Sequence, residues 1–483
     1  MKKAIRCCLR TLTPVHIGCD EVYEPMAFVI DGQKRRLKSF DPLEFLRMLK
    51  QEEKGRFSAI CKIGTLESIV ELYRFMHQRC PPNIRATEVA VCEELVSHYV
   101  KNLETQRHNF NMKKEFSNFV IPRTAFNPNS GLPYVPGSSV KGALRTAYLN
   151  AQQKNKPAGR HNKGKDLEKE LLKYEMLETD PFRLVKVSDF MPVGGVRTRI
   201  IYGVNRKKRP GQFEAGGPPQ ILEIVEPGCF FEGWITVDTP ESGSGIANPI
   251  TLEALLDSVR DFYTGELSRE NKDLQGLGVA GVKQPESPLG HVLRVGRHSG
   301  AECVTIKGHR DIKIMKGKGN KPAFEKNATT LWFVADSRSP TGGQSLVPFG
   351  WAILEPLTDE LYQQIKQSLD SASSSPVPTP KETEITAGEQ KREMGKGFGH
   401  GASEPPKSPQ REMWHGVYLS WDPGSRTVTT TTAGGRAFTK DQALVPESIR
   451  DRLCGKKKPV PADIEVEPTG GRNFKITRID PLS

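Results

Sequence analysis

The sequence contains no apolar run near the roughly 20 residues that a membrane-spanning helix needs. Its start, Met1-Lys2-Lys3 followed by Ala4-Ile5-Arg6, breaks any signal-peptide core. Cysteine occurs nine times, an odd number, and never as a CxxC pair, so the thiols are expected to be reduced and the chain cytoplasmic. His291, His298 and His309 share a region with Cys303, but their spacing fits no helix face, and no metal or cofactor is expected. No Ser–His–Asp or Cys–His motif signals a nucleophile. Apolar residues are also scarce: hydrophobic types make up 36% and aromatics 7%, while Gly and Pro number 44 and 36. Much of the chain should therefore be loop, with enough apolar residue left for a core in each of two or three domains.

Positive charge is what the chain has in excess. Seventy Lys and Arg against 57 Asp and Glu give a net charge of +13 and a pI near 9.2, which favours an acidic partner, nucleic acid before membrane. The most informative stretch runs from Tyr134 to Leu149. Pro136 and Gly137 supply turn chemistry, and Ser138 and Ser139 stand where a helix cap belongs. Val140, Leu144 and Ala147 then form one apolar face, with Lys141 and Arg145 one turn apart on another. Free backbone N–H groups opening a helix that carries two cations suit phosphate. A capped core helix with two solvated cations accounts for the same residues equally well. A nucleotide-hydrolysing P-loop is disfavoured, because Gly142 rather than Ser or Thr follows Lys141.

Other candidates follow along the chain. His16 ends a strand over residues 2–17 at a Gly18 turn, and Arg123 closes a strand over 119–123. Residues 197–209 hold Arg197, Arg199, Arg206, Lys207, Lys208 and Arg209 around Tyr202, a pattern suited to single-stranded RNA and, equally, to a solvated basic loop. Gly203 and Pro210-Gly211 there suggest a long protruding hairpin. Arg294, Arg297 and His298 lie in a glycine-rich run that offers a second anion site. Asp31-Gly32 reads as a hairpin turn, residues 56–116 as a helical insertion, and the runs 221–225 and 230–237 as a hairpin joined at Pro227-Gly228. A helix is expected over 252–263 and buried strands over 331–334 and 350–354.

Strand, helix, strands and helix recur on either side of about residue 185. This predicts an α+β fold of two ferredoxin-like (RRM-like) modules, 1–185 (with the helical insertion) and 186–370. Residues 371–411, rich in Ser, Pro, Thr, Gly, Lys and Glu, read as a disordered linker. Strand-like pieces over 412–483 predict a small β-rich extension, a barrel with a faint likeness to cold-shock (OB-type) barrels.

The run Tyr134–Leu149 also closely resembles the glycine-rich loop and helix of the RAMP superfamily, the RNA-binding subunits of type III CRISPR effector complexes. Leu12-Thr13-Pro14-Val15-His16-Ile17-Gly18 is similar to the first strand and turn of those proteins. Glu21 to Pro25, Phe28 to Asp31, Phe40-Asp41-Pro42 and Leu293 to Gly300 resemble the subunit at the guide's 3′ end in type III-A (Csm) complexes. The resemblance covers roughly residues 1–360 and implies two packed RRM-like modules. It also implies a guide-RNA-binding subunit without catalytic residues that contacts the adjacent backbone RAMP subunit and meets target RNA only indirectly. His16, Arg123, Gly137, Ser138, Ser139, Lys141, Arg145, Arg197, Arg199, Arg206, Lys207, Arg294, Arg297 and His298 are the residues nominated to touch RNA. The rival expectation is a RAMP endoribonuclease that acts on guide precursor or target with Asp20, Asp31 or His16.

Overall fold

The computed structural model describes residues 2–104, 119–161, 163–209, 217–285, 287, 289–315, 321–343 and 345–374 in one unit, and 412–422, 427–432, 435–439, 441, 444–455, 459–470 and 473–482 in another. The first unit begins with β1 (Lys3–Thr11) and β2 (Gly18–Val22). The hairpin β3 (Phe28–Asp31) and β4 (Arg36–Phe40) then turns after Asp31 as expected. Helix α1 (Pro42–Met48) starts on an Asp41 cap whose carboxylate accepts from the Leu43 N–H, with Pro42 at the first helical position. Helices α2 (Gln51–Ile63) and α3 (Leu66–Arg79) follow.

The insertion expected to be helical over 56–116 is interrupted by a strand. Ala86-Thr-Glu-Val-Ala-Val91 forms β5, which pairs antiparallel with β4, and α4 (Glu93–Glu104) comes after it. Alternating β-branched residues beside a waiting strand edge outweigh helix propensity here. The remainder of the expected insertion lies outside the described residues.

Strand β6 (Pro122–Thr124) pairs with β2 and leads into α5 (Gly137–Asn155) and α6 (Gly164–Leu172). Short β7 (Val185–Val187) and β8 (Met191–Pro192) precede β9 (Thr198–Lys207), β10 (Gln220–Val225) and β11 (Phe230–Val237). Then come α7 (Leu252–Gly276), β12 (His291–Arg294), β13 (Ile312–Ile314), β14 (Ala323–Glu325), β15 (Thr330–Ala335), β16 (Val347–Pro348), β17 (Trp351–Pro356) and α8 (Asp359–Ser374). Helix α7 runs well past Tyr263 because Glu266 and Glu270 also face inward, satisfied by Arg310 and Arg294, a burial that apolar periodicity does not reveal. Helix α8 occupies the first residues of the expected linker, and 375–411 lie outside the described residues.

Two sheets share the core. One runs β12-β17-β1-β11-β7, antiparallel throughout, with β8 on β11; the other runs β16-β15-β9-β5-β4-β3, with β10 on β9. The expected division at residue 185 does not describe them, because β1 sits between β11 and β17 and each sheet takes strands from both sides of that point. The expected hairpin at Pro227-Gly228 is absent too. Strand β10 belongs to one sheet and β11 to the other, with the chain crossing at Gly228, whose φ of 79° suits glycine. Both runs are rich in apolar residues, a pattern that does not say which sheet owns a strand.

Helices α5 and α7 pack together. Val140, Leu144 and Ala147 of α5 are buried as expected, and the Tyr263 hydroxyl of α7 donates to the Ala143 carbonyl at 3.2 Å.

In the second unit, β18 (Glu412–Asp422), β19 (Thr427–Thr432), β20 (Gly435–Thr439), β21 (Val460–Gly470) and β22 (Asn473–Pro481) close a barrel in the order β18-β19-β20-β22-β21. A short helix, α9 (Glu447–Arg450), lies between β20 and β21. Leu419, Val428, Ala437, Ile464, Val466 and Ile476 fill the interior. Register shifts between Trp414 and Val417, where Gly416 takes a φ of 63°, and this bulge bends β18 along β21.

Candidate nucleic-acid interface

Three loops converge where the sheets meet. The segment after β1 crosses between the sheets: the Leu12 N–H donates to the Trp351 carbonyl at 2.9 Å, while Val15 bridges Val225 at the end of β10. Next in the chain, the Ala125 N–H reaches the Ile17 carbonyl at 2.7 Å, and the Tyr134 N–H reaches the Ala125 carbonyl at 3.1 Å. From the other side, the Arg297 N–H donates to the His16 carbonyl at 2.7 Å. Gly296 must be glycine: its φ is 84°, and a Cβ there would overlap the His16 carbonyl. The loops of His16, of Arg123 and of Arg297 thus form one seam that leads to the start of α5.

Within that seam the side chains take different roles from those expected. His16 is wholly buried. Its Nδ1 lies 2.6 Å from the Glu223 carbonyl, so Nδ1 carries the proton, and burial lowers its pKa to keep the ring neutral. Glu223 is itself buried, its pKa raised by burial, and its carboxyl accepts from the Tyr23 hydroxyl at 3.0 Å and the Thr124 N–H at 3.1 Å. Arg294 is also buried. Its guanidinium pairs with the Glu270 carboxylate, which accepts from the Trp351 indole at 2.9 Å as well. Arg294 is therefore a core ion pair, not an RNA contact. The half-buried His298 stacks on Trp332 at 4.4 Å with a φ of 66°, and burial lowers its pKa to about 3.

At the start of α5 the cap is Pro136, not a serine. The Gly137 N–H is held by the Asp189 carboxylate at 2.8 Å, a residue that sequence reasoning missed because it lies 52 positions away. A Cβ on Gly137 would overlap the Val187 and Ser188 carbonyls, which explains the glycine by close backbone approach. Arg145 is tied to Glu168 at 2.7 Å and Asp180 at 2.9 Å and lies over the Phe182 ring. It braces α5 against α6 and is withdrawn from the phosphate role. Ser138 is exposed and Ser139 half-buried. Lys141 is half-buried, and its pKa is lowered by that burial against the pull of Asp180.

The basic run 197–209 is chiefly strand, and β9 forms an antiparallel hairpin with β10 as expected. Strand β9 lies inside its sheet between β5, β10 and β15, and the expected tip at Pro210-Gly211 lies outside the described residues. Tyr202 is buried against His98 and offers no stacking face. Arg197 pairs with Glu226 at 3.0 Å, Arg199 pairs with Asp336, and Arg206 donates to the Pro340 carbonyl. Lys208 pairs with Glu302 at 2.6 Å and Asp273 at 3.1 Å. Lys207 is half-buried. Arg123 lies 3.5 Å over the Phe126 ring and 4.9 Å from that of Tyr23. Among the described residues of the seam loops, Arg297 is exposed. Of the acids nominated for catalysis, Asp20 is exposed with a φ of 60°, and Asp31 pairs with Lys38 at 3.2 Å, its pKa lowered chiefly by the Lys34 N–H. Among the described residues no group of three or more potential metal ligands gathers, and no helix is long and apolar enough to cross a membrane.

A RAMP superfamily model matches residues 8–271. Two curated relatives, each named CRISPR system Cms protein Csm5, are similar to parts of the chain. That of Methanocaldococcus jannaschii is 26% identical over 197 residues, 38% of this chain and 42% of the relative. That of Enterococcus italicus is 25% identical over 158 residues, 32% of this chain and 45% of the relative. The matches thus span less than half of each relative's length. A chain in a cryo-EM structure of a type III-A Csm–crRNA–target RNA ternary complex aligns with 73% of this chain and 100% of its own, at 20% identity and a TM-score of 0.42. The crystal structure of T. onnurineus Csm5 aligns with 72% of this chain and 99% of its own, at 17% identity and a TM-score of 0.43. The family match takes in more than half of the chain, including β2, β6 and the glycine-led helix α5, and the chain belongs to the RAMP superfamily.

Proposed function

We propose that this protein is a guide-RNA-binding subunit of a type III-A CRISPR effector complex. It would sit on the 3′ side of the guide, contact the adjacent backbone RAMP subunit, and itself cut no RNA. The observation that carries the reading is the seam, where the loops of residues 12–18, 123–126 and 295–300 are locked together by backbone hydrogen bonds beside the start of α5. The seam presents Arg297 and the aromatic-backed Arg123, with Ser138 and Lys141 at the helix. A few cations and a helix-start hydroxyl without a reading aromatic suit a strand held by its phosphates, whatever its sequence. The relatives named Csm5 support the assignment to a Csm complex. We also read β1, α5, β7, β11, α7 and β17 as one ferredoxin-like unit, since the strands lie in the order β17-β1-β11-β7 with a helix in each crossover.

The test is an Arg297→Ala, Lys141→Ala double variant purified with its partner subunits. Guide occupancy should fall, and the slope of log affinity against log salt should shrink by about one for each phosphate that is no longer neutralised. Unchanged occupancy and slope in a folded double variant would sink the proposal. The endoribonuclease reading rests on Asp20, exposed in a left-handed backbone conformation. Cleavage of labelled RNA in magnesium that disappears in Asp20→Ala would establish that reading instead.

A further inference from the structure

We propose that a second surface for single-stranded RNA lies at the far end of α5 from the seam, where a basic loop meets the root of the β13–β14 hairpin. Helix α5 has 19 residues, which puts its two ends about 27 Å apart. Near its end the buried Asn150 holds the hairpin root. Its side-chain amide donates to the Thr305 carbonyl at 3.2 Å, and its side-chain oxygen accepts from the Lys307 N–H at 2.8 Å. One turn on, Gln153 accepts from the Ala158 N–H at 3.0 Å, and a Cβ on Gly308 would lie 3.7 Å from the Gln153 amide nitrogen. Loop and hairpin therefore leave α5 side by side.

Charge selects an anionic occupant. From residue 151 to 165 the sequence carries Lys154, Lys156, Arg160, Lys163 and Lys165 and no Asp or Glu. All five are exposed, and none forms an ion pair among the described residues. Their loop is fastened at both Gly159, whose N–H donates to the Glu170 carboxylate at 3.2 Å, and His161, which pairs with the same carboxylate. Local folding does not call for these cations. Lys154 suits the end of α5, but Lys163 caps α6 without a side-chain hydrogen bond, and Lys165 joins the exposed Asp166 in its first turn. Cations are disfavoured there. Residues that break a local rule in this way point to a use other than folding.

The hairpin adds a ring. Lys313 opposes Phe324 across its two strands, and both are exposed, Phe324 to 57%. Ile312 and Ile314 alternate to the other side and are half-buried, and Glu325 shares that side opposite Ile312. Lys321 and Lys326, also exposed, flank β14. Four residues of chain from His309 at the root to Lys313 span at most about 14 Å. One short strand can therefore lay phosphates on the loop and a base on Phe324. An exposed ring beside unpaired cations suits single strands, whose bases are free to stack, over duplexes.

The proposal rests on RNA as the ligand but not on the seam, and the test separates the two. Binding of fluorescent oligouridine to the full chain is to be followed by anisotropy over a salt series. A Lys156→Ala, Lys163→Ser, Lys165→Ala variant should bind more weakly, with a salt slope smaller by about 2 if each lysine neutralises one phosphate of a single strand. Its melting temperature should hold or rise, because Ser is the better cap. Phe324→Ala should bind about fivefold or more weakly at an unchanged salt slope, and Phe324→Tyr should bind as the parent does. Duplex RNA should not distinguish Phe324→Ala from the parent. Unchanged affinity in the lysine variant, unchanged affinity in Phe324→Ala, or an equal loss for duplex would each overturn the proposal. The same losses measured in an Arg297→Ala, Lys141→Ala background would uphold it whether or not the seam grips RNA.

Discussion

Arg294 holds its guanidinium against Glu270 where both side chains are out of contact with water, and the Trp351 indole completes the carboxylate's bonding. A buried pair of this kind adds little over an apolar substitute, but losing one partner strands the other. Arg294→Met should therefore cost about 3–5 kcal/mol in denaturant unfolding, and adding Glu270→Gln should recover much of it. An RNA-contacting arginine would behave in the opposite way, leaving stability intact. Buried and half-buried histidines act through pH. Burial lowers the pKa of His16, His77, His291 and His298, the last to about 3, so the folded protein keeps them neutral where the unfolded chain takes up protons. The unfolded state then binds more protons below its histidine pKa of about 6.5, and stability present at neutral pH is lost as pH falls. Each such group contributes a slope of at most about 1.4 kcal/mol per pH unit. Denaturation midpoints should decline from pH 7 to pH 5, and His298→Gln should flatten the decline.

Helix α5 shows why a recognisable element does not assign its own residues. Its inward stripe was legible, since Val140, Leu144 and Ala147 follow helical spacing and are buried. The partners of its polar residues were not, because Glu168, Asp180 and Asp189 arrive from later in the chain. Asp189 occupies the helix-start N–H that phosphate was expected to take. Asp189→Asn should cost about 1 kcal/mol or less in thermal or denaturant stability. It should also raise RNA affinity, measured by anisotropy, because a negative charge leaves the anion's approach. A fall in affinity would mean that RNA does not approach there. Strand β9 makes the same point: the cations of 197–209 announced a basic loop, yet β5, β10 and β15 place β9 inside a sheet, and Arg197, Arg199 and Lys208 are held in ion pairs.

Across the whole molecule, β1 accepts neighbours from residues 230–237 and 351–356, so the first unit closes only when distant strands meet. A fragment of residues 1–185 lacks both flanking strands of β1 and should fail to give a cooperative unfolding transition by circular dichroism. A sharp transition from that fragment would restore the two-module division. The carboxyl-terminal unit differs, since its barrel closes on its own strands around its own core. It was also more readable, because neighbouring strands there are mostly neighbours in sequence.

Local physics was written in the sequence itself: the turn at Asp31-Gly32, the Asp41-Pro42 helix start, the apolar face of α5, the barrel strands, the basic balance and the three family motifs. Which sheet owns a buried strand, and which carboxylate meets which cation, depended on contacts between residues tens to hundreds of positions apart. Such pairings leave no periodic trace, since an ion-paired buried arginine and a free surface arginine are the same letter. Only the tertiary structure could separate Arg294, sealed in the core, from Arg297, three residues on and open to solvent.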